Sequence, residues 1–155
     1  MSEIVVTGGT GHLGRELVPL LVTAGHNVRV LSRRPGPNHV VGDLVTGEGI
    51  ADAVNGIDVL VHLASGAADN GARGLGYAAS KRSDVDPTER LVQLVSPDTH
   101  VVYISIVGVD KIPLGYYRAK YECEQIIERS GRPFTILRTT QWHTLPDEFV
   151  GRLAK

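Results

Sequence analysis

The sequence predicts a doubly wound α/β domain, a parallel sheet of about six strands in the order 3-2-1-4-5-6 with helices on both faces. Three observations carry this. Short apolar runs alternate with amphipathic stretches along the chain, the pattern of strand–helix–strand units joined by right-handed crossovers. A glycine cluster follows the first apolar run directly and leads straight into the first helical pattern. The 155 residues, 42% hydrophobic and 21% charged, suit one domain with an ordinary core, so residues 1–155 are read as a single unit.

The elements follow in order. Ile4-Val5-Val6 reads as a buried strand, and a helix runs from about His12 to Ala24, closed by Gly25. Val28 to Leu31 is the second strand, stopped by Pro35-Gly36-Pro37, and His39-Val40-Val41 the third, ending at Gly42-Asp43. A weak helix extends to about Asn55, and Asp58 to Leu63 forms the fourth strand. Residues 65–83, rich in Gly, Ala and Ser with mixed charge, read as a mobile loop. Asp86-Pro87 opens a helix to about Val95, with the proline at an early position. His100 to Ser105 is the fifth strand, Pro113 to Ser130 the longest helical pattern and Phe134 to Leu137 the sixth strand, with a short helix expected near Asp147.

Gly8-Gly9-Thr10-Gly11-His12-Leu13-Gly14 satisfies both G-x-G-x-x-G and G-x-x-G-x-x-G. The chemistry needs the missing side chains: one for the turn out of the strand, one to bring backbone N–H groups to a pyrophosphate, one to let helix pack on sheet. The helix N-terminus adds orphan donors and a favourable dipole. This strand–turn–helix context identifies a Rossmann-type dinucleotide site. Where NAD-specific domains carry an acid about 20 residues further on, to hold the ribose 2′-hydroxyl, this chain has Ser32-Arg33-Arg34. A carboxylate there would repel a 2′-phosphate and a guanidinium would grip it, so NADP(H) is expected in preference to NAD(H). Arg33 carries that expectation; for Arg34 a solvated surface role weighs equally.

With Thr7 to Gly14, Val40-Val41-Gly42-Asp43-Leu44, Val61-His62-Leu63-Ala64-Ser65, Val102 to Asp110, Tyr116-Tyr117-Arg118-Ala119-Lys120 and Phe134 to Arg138, the chain resembles the atypical, NmrA-like branch of the short-chain dehydrogenases/reductases. The resemblance covers nearly the whole sequence. It implies that Asp43, by its carboxylate, and Leu44, by its backbone, meet the adenine. It implies that Ala64 and Ser65 line the adenosine ribose and pyrophosphate, and that Lys120 reaches the nicotinamide ribose. Asp43 has a structural role open to it as well, capping the helix that follows.

Tyr116 and Lys120 stand four apart on a helical pattern, so both project from one face. An ammonium beside the phenol is expected to lower its pKa, fitting Tyr116 for acid/base work in carbonyl reduction by NADPH or its reverse. By resemblance this is the Tyr-x-x-x-Lys pair of the superfamily. Ser105 is the hydroxyl available after the fifth strand to orient a carbonyl; the alternative alignment puts the equivalent position one residue later, at Ile106. Acids stand at Asp84-Val85-Asp86 where many relatives carry an asparagine. These features imply an NADP(H)-dependent oxidoreductase acting on a small carbonyl or quinone. The alternative is a non-catalytic NADP(H)-binding regulator or redox sensor that signals through a protein partner. Relatives continue into a lobe that shapes the substrate pocket; here that lobe is expected to be absent or truncated, leaving Thr139 to His143 on the substrate side and a homodimer as one way to cover the gap.

A net charge of −1 provides no field for nucleic acid, and the apolar runs are too short to span a bilayer. Cys123, the only cysteine, cannot form an internal disulfide and is read as packing rather than as a nucleophile, and the six histidines show no metal-ligand spacing. Glu122 and Glu124 beside Cys123 should raise its thiol pKa. The start Met1-Ser2-Glu3 shows no signal-peptide pattern, so a cytoplasmic location is expected.

Overall fold

The computed structural model describes residues 1–66 and 76–140. Six parallel strands, β1 (Glu3–Thr7), β2 (Asn27–Ser32), β3 (His39–Val41), β4 (Val59–His62), β5 (His100–Ile106) and β6 (Phe134–Thr139), lie in the order β3-β2-β1-β4-β5-β6, as the sequence predicts. Helix α1 (His12–Thr23) covers one face, packing Leu17, Val18 and Leu21 on Ile4, Val6, Val28 and Val61. The other face holds the larger core. There Val5, Leu60, Val101 and Tyr103 meet α2 (Ile50–Val54) and two longer helices through Ile50, Leu91, Cys123 and Ile127. Burial on both faces is why the strands read as near-continuous apolar runs.

The expected loop over 65–83 is corrected at its distal end. Residues 77–94 form one continuous helix: α3 (Tyr77–Ser80), a π-helical turn (Lys81–Val85) and α4 (Asp86–Leu94), with αR backbone at each junction. Pro87 stands in the first turn of an α-helix, as the sequence predicts, but that helix continues from the π-helical turn and not from a loop. The Asp86 N–H bonds to the Lys81 carbonyl, five residues back. That widened turn relieves the clash a proline ring would make with the carbonyl four residues before it. Residues 67–75 lie outside the described residues, as do 141–155 with the expected helix near Asp147 and with Gln141, Trp142 and His143.

The weak helix before Asn55 is also shorter than expected, beginning only at Ile50 after Gly49. Asp43 explains this. Its Oδ1 accepts the N–H groups of Val45 (2.7 Å) and Thr46 (3.4 Å) and closes a local turn. The carboxylate thus takes a structural role, though the element it caps is a turn and not a helix. The longest helix, α5 (Gly115–Arg129), starts two residues later than Pro113.

Candidate functional site

The strand order reverses between β1 and β4, so a crevice is expected outside their carboxyl ends. The glycine turn and the segment Leu63–Gly66 both lie there. Gly8 has φ 70°, and a Cβ on it would stand 2.7 Å from the Ala64 nitrogen. At Gly14 a Cβ would run into the Gly8 carbonyl and Gly9 Cα. The turn therefore abuts both β4 and the first turn of α1 at distances no side chain permits. Gly11 caps α1 without a side-chain oxygen, and no acid occupies the first turn. The backbone donors of Leu13 and Gly14, in the first turn of α1, are thus presented as an anion site. Arg15 Nε donates to the Thr10 carbonyl at 2.8 Å and pins the tip of the turn.

At the end of β2, Ser32 Oγ accepts the Arg34 N–H at 3.2 Å, and His39 Nδ1–H donates to the Arg34 carbonyl at 3.0 Å. Arg33 lines a cavity of about 250 Å³ with Val41, Gly42, Asp43 and Glu48. Arg34 is exposed and is not among those lining residues. Leu44 packs on the core, and its carbonyl accepts from Arg90 Nη1 at 2.7 Å. The sequence reading missed Glu48, which joins this cavity only because the Asp43 turn returns the chain to it.

The end of β4 is held by a buried chain of hydrogen bonds. Thr7 Oγ1 accepts the Ala64 N–H (3.3 Å) and lies 2.6 Å from His62 Nδ1. His62 Nε2 lies 3.0 Å from Thr88 Oγ1, which donates to the Asp84 carbonyl at 2.6 Å. With the Thr88 proton used there, His62 must donate from Nε2 and accept from Thr7 at Nδ1. Burial, then the charge of Lys120, lowers the His62 pKa to about 3, so the ring is neutral. The Asp84 carboxylate accepts three further bonds: Ser65 Oγ (2.8 Å), the Gly66 N–H (2.8 Å) and Ser83 Oγ (2.7 Å). Neither His62 nor Asp84 was singled out for the site from sequence. Polar residues inside an apolar strand and beside a helical proline were the available signals.

Tyr116 and Lys120 rise from the first turns of α5. The Tyr116 hydroxyl lies 3.2 Å from Ser65 Oγ. Lys120 is 5% exposed, and its ammonium stacks over the Tyr103 ring, 4.4 Å from the centroid. It makes no hydrogen bond or ion pair with any described residue. Burial lowers the Lys120 pKa, opposed by the charges of Asp84, Cys123 and Glu124. The expected lowering of the Tyr116 phenol is reversed. Burial pushes it up to about 12, and the Asp84 charge adds to the rise. Strand alternation places Ser105 on the α5 face with Tyr103, fully buried, its Oγ without a partner among the described residues. Ile106 falls on the opposite face. Cys123 is buried, and burial rather than its flanking glutamates is the main cause of its raised pKa. Among the described residues no group of three His, Cys, Asp or Glu could hold a metal, and no helix is long and apolar enough to cross a membrane.

A glycine turn whose Cβ positions are filled, uncapped helix donors, an ammonium buried without an acceptor and an unpartnered buried serine hydroxyl together fit a dinucleotide laid across the switch point. The comparisons agree. The NAD(P)H-binding family profile matches residues 8–149, and the chain belongs to this family, an atypical short-chain dehydrogenase/reductase branch of NAD(P)-binding domains. The chain is 28% identical to the epimerase family protein SDR39U1 of Bos taurus over 147 residues, 90% of this chain and 47% of that protein. It is 42% identical to a 3-beta-hydroxysteroid dehydrogenase of Mycolicibacterium neoaurum over 72 residues, 42% of this chain and 20% of that protein. A short-chain dehydrogenase/reductase superfamily protein of Agrobacterium tumefaciens with bound NAD superposes with TM-score 0.71 at 27% identity, over 88% of this chain and 48% of that one. WbmH of Bordetella bronchiseptica in complex with NAD+ gives TM-score 0.79 over 99% of this chain and 62% of that one; at 18% identity it shows the fold alone. The chain spans about half the length, or less, of these two curated relatives.

Proposed function

We propose that the chain binds NADP(H) in preference to NAD(H) and serves an oxidoreductase acting on a small carbonyl or quinone, or on the corresponding alcohol. The observation that carries the reading is Lys120: an ammonium buried on one face of α5, without an acceptor, four residues from Tyr116. An unpaired buried charge is costly unless a ligand completes it, and ribose hydroxyls supply that complement. The dinucleotide, when bound, supplies or accepts the hydride. Tyr116 then holds or moves the proton at the substrate oxygen, Ser105 offers its hydroxyl to that oxygen, and Arg33 meets the 2′-phosphate at the end of β2. Calorimetric titration with NADP+, NADPH, NAD+ and NADH tests this, repeated on Arg33→Ala. Tighter binding of the phosphorylated pair, abolished by the substitution, is the expected result. No binding of any of the four by the folded chain would end the proposal.

A second reading, a non-catalytic NADP(H)-binding regulator that signals through a protein partner, draws on one observation. A phenol held near 12 by burial yields its proton reluctantly. Tight NADP+ binding with no turnover of ketones, aldehydes or quinones would favour it. Turnover lost in Tyr116→Phe would favour the enzyme.

A further inference from the structure

The Asp84 carboxylate is 2% exposed and sits in the π-helical turn, a local distortion that recurs at functional positions. Its Oδ1 accepts the Gly66 N–H and Ser83 Oγ, and its Oδ2 accepts Ser65 Oγ. A carboxylate only accepts, so the single Ser65 proton is committed to Asp84. Ser65 can then meet Tyr116, 3.2 Å away, only through a lone pair, and the Tyr116 proton must point at Ser65. We propose that Asp84 is a positioning residue that sets the polarity of Tyr116: by claiming the Ser65 proton it turns the phenol proton inward, so the phenol oxygen meets its ligand as an acceptor.

The consequence for the substrate rests on Tyr116 being the ligand-facing acid/base residue proposed above. A carbonyl oxygen must draw the Tyr116 proton away from Ser65, whereas an alcohol hydroxyl donates to the phenol oxygen as it stands. The resting site is set for the alcohol member of the redox pair. The charged and titratable neighbours of this pair are Lys120, Cys123 and Tyr117 on α5, Tyr103 on β5 and His62 on β4. Of the three groups that donate to the Asp84 carboxylate, Ser65 is the one that also meets Tyr116, so the Ser65 link is the route by which Asp84 acts on the phenol proton.

Asp84→Asn is isosteric and reverses the polarity. With Oδ1 still accepting from Gly66 and Ser83, the new amide donates to Ser65, whose proton is released toward Tyr116. The test uses the ligand-free chain labelled with 13C at tyrosine Cζ, with Tyr116→Phe to assign the resonance. In Asp84→Asn the phenol acid constant should rise about tenfold, the effect of losing one neighbouring like charge and gaining a donor. The donor is separated from the charge by making the same change in Ser65→Ala, where Asp84→Asn should raise the acid constant less than it does with Ser65 in place. Ser65→Ala by itself decides the matter if Asp84→Asn does not fold: the phenol loses its acceptor, and the Tyr116 signal at neutral pH should move. An acid constant unchanged in Asp84→Asn, an equal rise with and without Ser65, or a Tyr116 signal unmoved in Ser65→Ala overturns the proposal. Calorimetry with NADP+ on the same samples keeps the two claims apart: a chain that binds no dinucleotide loses the proposed function, while the tyrosine signal still decides the polarity.

Discussion

The Lys120 ammonium lies over the face of Tyr103, 4.4 Å from the ring centroid, and the charges of Asp84, Cys123 and Glu124 offset part of its burial without bonding to it. A ring quadrupole offers about 2 kcal/mol to a desolvated cation, less than burial costs it.

Lys120→Met should therefore stabilise the ligand-free chain at pH 7 by roughly 1–2 kcal/mol, the scale on which apolar replacement of buried charge acts. The sign follows from the lowered pKa of Lys120. The unfolded chain holds this proton to higher pH than the folded one, so the penalty is present at neutral pH and fades as pH rises toward the unfolded value. Urea midpoints at pH 7 and pH 10 should show the gain shrinking at the higher pH, while NADP+ affinity falls at least about tenfold. A destabilised Met variant would mean that the ammonium is satisfied in the free protein.

His62 predicts the opposite pH trend at the acid end. Its folded pKa is near 3 against 6.5 for the free side chain, so the unfolded state takes up a proton that the folded state refuses. Stability is then lost as pH falls through 6.5 toward 3. Between pH 7 and pH 5 this group alone should remove roughly 2 kcal/mol. His62→Gln, compared with the unsubstituted chain by urea unfolding at both pH values, should lack that increment. Equal losses in the two proteins would show that the ring is protonated in the fold.

Gly14→Ala tests the fit of turn and helix. The added methyl meets backbone atoms of Gly8 and Gly9, which cannot move aside as a flexible side chain can. A loss of roughly 1–3 kcal/mol is expected, together with loss of dinucleotide binding. Thermal unfolding and calorimetry measure the two effects, and unchanged binding would separate the turn from the anion site.

Glu124 is 1% exposed and accepts from Arg138 Nε (3.0 Å) and Nη2 (2.6 Å), while Arg138 Nη1 reaches Asp110 at 3.1 Å. This clamp ties the edge strand β6 to α5. Arg138→Leu strands a buried carboxylate and should cost roughly 2–3 kcal/mol, the partial exposure of Arg138 keeping it below the fully buried case. Adding Glu124→Leu should recover most of that loss, and a double variant no more stable than the single one would contradict the account.

Strand order and the place of the glycine turn between β1 and α1 were legible because each depends on local spacing or on crossover handedness. The helical stretch 77–85 was not. Ala79, Ser80, Lys81 and Ser83 form no apolar stripe, and Pro87 mimics a helix start when the π-turn before it cannot be seen. Asp84 and His62 were hidden for a different reason. Their roles arise from partners 18 to 55 residues away, such as Ser65 and Thr7, which adjoin only after the sheet has formed. The Tyr116 phenol was misjudged because position on a helix says nothing about how much water the fold removes.

The Thr7–His62 bond also bears on how the chain finds its fold. β1 and β4 pair in parallel with Thr7 beside His62, across 55 residues of intervening chain. Such long-range pairing closes slowly, and valine-rich strands offer little to distinguish one alignment from the next. A slip of one residue would turn His62 toward the α1 face, away from both Thr7 and Thr88, and bury an imidazole with nothing to bond. This polar pair therefore penalises a misaligned central sheet and favours the native register of the strands beneath the crevice.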